Sequence, residues 1–216
     1  MRLLAIDTAA NLCAACVWDT DAGERGRAVL DLGKGHAEHL MGAIDAALKA
    51  AGSTYADLDG IAVSVGPGSF TGVRVGVAAA RGLALALGVP AVGVTTLEAL
   101  ARQARQASPG RPVLARIEAG RGQVYVAAFS AAGELTFGPA ALALAAADDL
   151  VRAMTAEGGD DTLLAAGKTA DIAFYARCGA DRLAAGAPPA KPRPLYLRDA
   201  DAKPQAGFAL PRKTLP

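Results

Sequence analysis

Between Val73 and Leu87 only two side chains, Arg74 and Arg81, carry charge. Gly72, Gly76, Ala79 and Leu83 form one narrow stripe at helical spacing, and Val73, Val77, Ala80, Ala84 and Leu87 form a second beside it. Gly88 and Pro90 stop the run. A helix apolar on nearly every side needs burial on nearly every side. The fold must therefore supply a sheet beneath this helix and a cover above it. A lobe of this length offers little cover besides the preceding helix. The pattern thus points to a partner chain, with the small residues permitting close helix–helix contact.

The elements around that helix come in a specific order. An apolar run at 3–6 reads as a buried strand, followed across short turns by strands at 13–18 and 27–32. The next helix carries Leu40, Ile44, Leu48 and Ala51 on one stripe and ends at Gly52. A strand at 61–65, the apolar helix, a strand at 91–94 and a helix at 96–106 complete β-β-β-α-β-α-β-α. Thr95 or Thr96 caps the last helix, with Glu98 in its first turn. This is the order of the ribonuclease H-like lobe used by the actin, Hsp70 and sugar-kinase group. A weaker second pass has strands at 113–117, 123–129 and 134–137, a short helix at 148–154 and a strand at 163–166. The expected fold class is α/β: a two-lobed ribonuclease H-like, actin-like architecture with a reduced second lobe. Its expected parts are a first lobe at 1–107, a hinge at 108–112, a second lobe at 113–200 and a mobile tail at 201–216. The run 187–194, APPAKPRP, is extended by its prolines.

Composition narrows the classes. With 52% hydrophobic and 20% charged residues, general disorder is excluded. Twenty-two basic against twenty-one acidic residues leave a net charge of +1, too balanced for a dominant electrostatic drive to nucleic acid or anionic membrane. Arg102, Arg105, Arg111, Arg116 and Arg121 accordingly read as a solvated face rather than a tRNA contact. An odd count of three cysteines speaks for a reducing compartment. No targeting segment and no apolar stretch of about 20 residues is read, so a cytoplasmic, membrane-free protein is expected.

Several motifs invite chemistry. Gly66-Pro67-Gly68-Ser69-Phe70-Thr71-Gly72 joins a strand to a helix, where backbone N–H groups can cradle phosphate. Its spacing is neither G-x-G-x-x-G nor a P-loop, so its glycines read as turn and close-packing residues. Cys13 and Cys16 spell C-x-x-C, but on a strand i and i+3 point to opposite faces and cannot share a metal. His36 and His39 lack the spacing of a zinc-protease helix. The first hairpin turn, 7–12, has no glycine for phosphate approach, although Asp7 could hold Mg²⁺ through water. The matching turn of the second lobe, 118–122, has two. No catalytic residue, metal site or bound nucleotide is assigned. A small ATPase or kinase of the same superfold and a metalloprotease-like protein are the alternatives.

The run 64–76, SVGPGSFTGVRVG, with 82–85, 93–101, the opening 2–8, His36-Ala-Glu-His-Leu40 and the C-terminal 194–198, PLYLR, closely resembles the TsaB (YeaZ) family. The resemblance is dense over 1–101. It implies a non-catalytic scaffold that binds TsaD, the subunit that transfers threonylcarbamoyl to the adenosine beside the anticodon in tRNAs reading codons that begin with A. It implies TsaE as a further partner, a homodimer when TsaD is absent, and contact with tRNA only through the complex. The family interface uses the first two helices. Here that assigns His36, Leu40, Ile44, Leu48, Gly72, Val73, Gly76, Val77, Ala80, Leu83 and Ala84 to a partner, with Gly66–Thr71 and Arg74 as the motif loop. Ala37, Gly42, Glu118 and Gln123 depart from the family pattern.

Overall fold

A computed structural model describes residues 1–158, 162–186 and 189–198. The tail expected at 201–216 and residues 187–188 of the proline-rich run lie outside them. Strands β1 (Arg2–Asp7), β2 (Leu12–Asp19) and β3 (Gly23–Asp31) lead into α1 (His36–Ala50), β4 (Gly60–Ser64), α2 (Phe70–Leu87), β5 (Ala91–Val94) and α3 (Thr96–Ala107). The second pass runs β6 (Val113–Gly120), β7 (Gln123–Phe129), β8 (Leu135–Ala143), α4 (Leu144–Gly158), β9 (Leu163–Ala166) and α5 (Ile172–Ala184). The first sheet has the order β3-β2-β1-β4-β5 and the second β8-β7-β6-β9. Among the described residues the second order is the first without its fifth strand, so the duplication and its reduction are both visible in the topology.

Strand alternation builds two cores on the first sheet. Leu4, Ile6, Cys13, Ala15, Val17, Ile61 and Val63 face α1 and α2. Ala5, Ala14, Cys16 and Ala62 face the other way, into the space between the sheets. Cys13 and Cys16 thus sit on opposite faces, as the strand spacing requires. Burial pushes the Cys16 thiol up to about 12, so it is held as an inert thiol.

The helices between the sheets are exchanged. α3, from the first half, packs on β6 and β9, whereas α5, from the second half, packs on β1, β2, β4 and β5. Sequence analysis places no element at α5. The alanines of the first sheet leave room for it, and Gly179 of α5 rests against Ala62. Residues 108–112, expected as a hinge, form the turn between α3 and β6. The exchange puts Val94, Leu97, Val113, Phe129 and Tyr175 in one core. That core draws on residues from both sides of 108.

α2 begins at the N-cap Ser69, whose hydroxyl accepts from the Gly72 amide at 3.2 Å. A Cβ on Gly72 would run into the Thr8 carbonyl, and one on Gly76 would stand 2.5 Å from Thr8 Oγ1. Gly82, on the same helix, faces open space. Gly72→Ala is expected to cost about 1–3 kcal/mol through overpacking. Gly82→Ala should gain about 0.5–1 kcal/mol by removing helix glycine entropy. Urea unfolding with unchanged m-values checks both, and equal signs for the two variants would contradict the packing described.

Candidate functional site

The carboxyl ends of β1 and β4 meet the GPGSFTG loop at the junction of the lobes. Here the loop lies directly on the first hairpin turn. The Ser69 amide donates to the Ala9 carbonyl at 2.6 Å, and Thr8 Oγ1 donates to the Gly72 carbonyl at 2.7 Å. Gly68 is in contact with Ala9, where any Cβ would collide with backbone. The glycines thus serve close approach of one backbone to another. Gly66, at φ 89°, receives the Thr96 amide on its carbonyl at 2.9 Å.

Asp7, only 1% exposed, closes the same junction from below. Its Oδ1 accepts the Ala9 amide at 2.9 Å and its Oδ2 the Thr169 hydroxyl at 2.5 Å. Thr169 Oγ1 lies 2.8 Å from the hydroxyl of Tyr175, which is fully buried on α5. Ser64 and Thr96 pair beside them at 3.3 Å. Burial raises the Asp7 carboxyl above its ordinary range, opposed by the bonds from Thr169 and Ala9. Burial and the neighbouring Asp7 charge push the Tyr175 phenol up. This knot ties the first sheet to the second half. Asp7 is thus enclosed, with one internal hydrogen bond on each of its oxygens.

A cleft of about 740 Å³ opens above the knot, between the first turn and the β6–β7 turn. Ala10, Asn11, Ser69, Arg116, Glu118 and Lys168 help line it. Arg116 reaches Asp148 at 3.5 Å. Among the described residues no group of three or more His, Cys, Asp or Glu is placed to hold a metal. His36 is buried and His39 exposed. Of the arginines read as a solvated face, Arg102 pairs with Asp181 and Arg105 donates to the Ala131 carbonyl.

The residues assigned to a partner require a correction. His36, Leu40, Ile44, Leu48, Val73, Val77 and Ala80 are between 0% and 8% exposed. Gly72 and Gly76 are buried with them, and Leu83 and Ala84 are only half-buried. Gly72 and Gly76 of the small-residue stripe meet the chain's own Thr8 turn. A charge at Ala80 would therefore break the core rather than report on docking. The uncovered face of α2 is instead Phe70, Arg74, Ala78, Arg81 and Leu85, spaced four, four, three and four apart. Leu85 is 86% exposed, and Met41 of the neighbouring α1 is 44% exposed. By length and composition α2 could cross a membrane. Its apolarity is spent in part on the sheet, where five of its residues are buried.

Sequence reasoning also missed what the C-terminal run does. The Leu195 amide donates to the Val65 carbonyl at 2.8 Å, laying residues 192–198 as a strap beside the motif loop. Tyr196 of the strap meets Phe70 and Arg74. Both runs are conspicuous in the sequence, but nothing in their spacing indicates that they touch.

The family model described as "TsaD: tRNA N6-adenosine threonylcarbamoyltransferase" matches residues 31–174. The tRNA threonylcarbamoyladenosine biosynthesis protein TsaB of Escherichia coli is 37% identical over 129 residues, 60% of this chain and 55% of that protein. The match thus spans about half the length of that curated relative. An uncharacterized protein of Mycobacterium tuberculosis is 36% identical over 212 residues, covering 94% of this chain and 95% of its own. The solved structure of YeaZ from Pseudomonas aeruginosa superposes with a TM-score of 0.74 at 25% identity, over 91% of this chain and 99% of that one.

The buried carboxyl supplies a pH test. Its ordinary value is 3.8 and the fold raises it, so the folded chain holds the proton more tightly than the unfolded chain. Its contribution is therefore full below that value and is lost as pH climbs through the folded one. Asp7→Asn preserves the shape without charge. Its stability relative to wild type should rise with pH from about 4 and then level off. Urea melts of both proteins across that range decide it, and parallel pH curves would contradict it.

Proposed function

Because the chain belongs to the TsaB (YeaZ) family, we propose that it is a non-catalytic scaffold subunit in the synthesis of threonylcarbamoyladenosine in tRNA. In this reading it binds a TsaD-type protein as a heterodimer and holds it competent. TsaD transfers threonylcarbamoyl to the adenosine beside the anticodon in tRNAs reading codons that begin with A. A TsaE-type ATPase joins as a further partner, two copies pair when TsaD is absent, and tRNA is met only through the complex, in the cytoplasm.

The observation that carries the reading is the uncovered face of α2. Leu85 stands 86% exposed on a helix with no acidic residue, and Met41 of α1, which packs against α2, is exposed as well. Full burial of one such side chain is worth about 1.5–3 kcal/mol. The first hairpin turn supports the non-catalytic part. Its Ala9 carbonyl and the Asp7 carboxylate are bound internally, and its residues 7–12 include no glycine. The cleft lined by Arg116 and Lys168 favours the small-ATPase reading as the runner-up, because it has room and positive charge for a phosphorylated ligand. Calorimetry with ATP separates the two, since micromolar binding with turnover would replace the scaffold reading.

Leu85→Asp and Ala78→Glu place charge on the open face and leave the core untouched. Both are expected to fold with the wild-type melting temperature. Both should lose co-elution with the TsaD-type protein of the same organism, and reconstituted formation of the modified nucleoside should fall with it. Undiminished co-elution would remove this face from the interface.

A further inference from the structure

Phe70 opens α2 and Tyr196 comes from the strap, 126 positions later in the chain. Their ring centroids stand 5.4 Å apart at 39°. The Arg74 guanidinium carbon lies 3.6 Å from the Phe70 centroid and 5.6 Å from that of Tyr196. Its Nε donates to the Tyr196 hydroxyl at 2.7 Å. The strap is fixed on either side of that tyrosine, by the Leu195 amide on Val65 and by Arg198 Nη1 on the Ala119 carbonyl at 2.6 Å. Both rings are 50% exposed and Arg74 is exposed with them.

The consequence is an arginine immobilised before any partner arrives. Its Nε is taken by a neutral hydroxyl. No ion pair joins Arg74 to a carboxylate among the described residues, and its outer Nη edge carries no bond to them. That edge has the geometry for two parallel hydrogen bonds to one carboxylate. A side chain held in this way loses little freedom on binding, the property that makes arginine and tyrosine effective interface anchors.

We propose that Arg74, set by Phe70 and Tyr196, is a preformed receptor for one Asp or Glu side chain of the protein that docks on the outward face of α2. The proposal rests on the partner reading above and adds its anchor and its chemistry. Continuity selects a protein carboxylate: Arg74 leads along the same face to Ala78, Arg81 and Leu85, so the charged fork borders apolar surface. The face carries two cations and no acid, and an apolar partner surface with an acidic edge complements it. A phosphate backbone would leave Leu85 and Ala78 uncovered.

The test is calorimetric binding of the full chain to the TsaD-type protein of the same organism. Arg74→Lys keeps the charge but loses the fork and the stack, and is expected to weaken binding about tenfold or more. Tyr196→Phe removes only the pin and should weaken it several-fold. Arg74→Glu should recover binding when one partner Asp or Glu is changed to Lys. Both sites are exposed, so melting temperatures of the three variants should match wild type. If Leu85→Asp abolishes binding while Arg74→Lys and Tyr196→Phe bind as wild type, the face stands and the receptor falls. If wild type does not bind at all, the partner reading falls and takes the receptor with it. If Arg74→Lys leaves partner binding intact and weakens salt-dependent binding of tRNA to this chain alone, the fork reads phosphate and the carboxylate occupant is overturned.

Discussion

The close contact between the backbone of residues 68–76 and the turn at Thr8 and Ala9 determines most of what lies around it. Without side chains at Gly68, Gly72 and Gly76, α2 comes down onto that turn, and the Ser69 and Thr8 hydrogen bonds hold it there. This rotation of the helix points Val73, Val77 and Ala80 at the sheet and Arg74, Ala78, Arg81 and Leu85 away from it. It also occupies the hairpin turn, whose Ala9 carbonyl and Thr8 hydroxyl are bonded to the loop and helix. The occupied turn and the outward face follow from one packing event.

Two further devices keep the lobes together. The exchange of α3 and α5 fills the space between the sheets with helices belonging to opposite halves. The Asp7–Thr169–Tyr175 knot adds direction to that apolar layer, because hydrogen bonds at 2.5 and 2.8 Å tolerate little sliding. Glu98 and Arg182 link α3 to α5 on the outside at 2.6 Å. The cleft above the knot is therefore framed by an ordered base.

Much of the fold was legible in the sequence. The first eight elements were readable because they alternate cleanly between period-two and helical patterns and end on Gly52, Gly88 and Pro90. α5 was not, because its buried side is made of Ala176, Gly179 and Ala180 with Tyr175 and Cys178, too small and mixed for a strong periodic signal. The stripe of Gly72 and Gly76 is legible as a close-contact surface, and in the fold both glycines lie against the Thr8 turn. Spacing reveals that something comes close, not whether it is a foreign helix or the chain's own carbonyl. The Phe70–Arg74–Tyr196 cluster lay beyond reach for a different reason. Its hydrogen bond joins residues 122 apart, and only the folded strap brings them together.

The exchanged helices also bear on how the chain is made. During synthesis α3 emerges with Leu97, Leu100 and Ala101 unsheathed, because β6 and β9 do not yet exist. The alanine face of the first sheet waits longer still, until α5 leaves the ribosome. Neither half can finish folding by itself, so the nascent chain carries sticky surface through most of its translation and depends on late, sequence-distant closure.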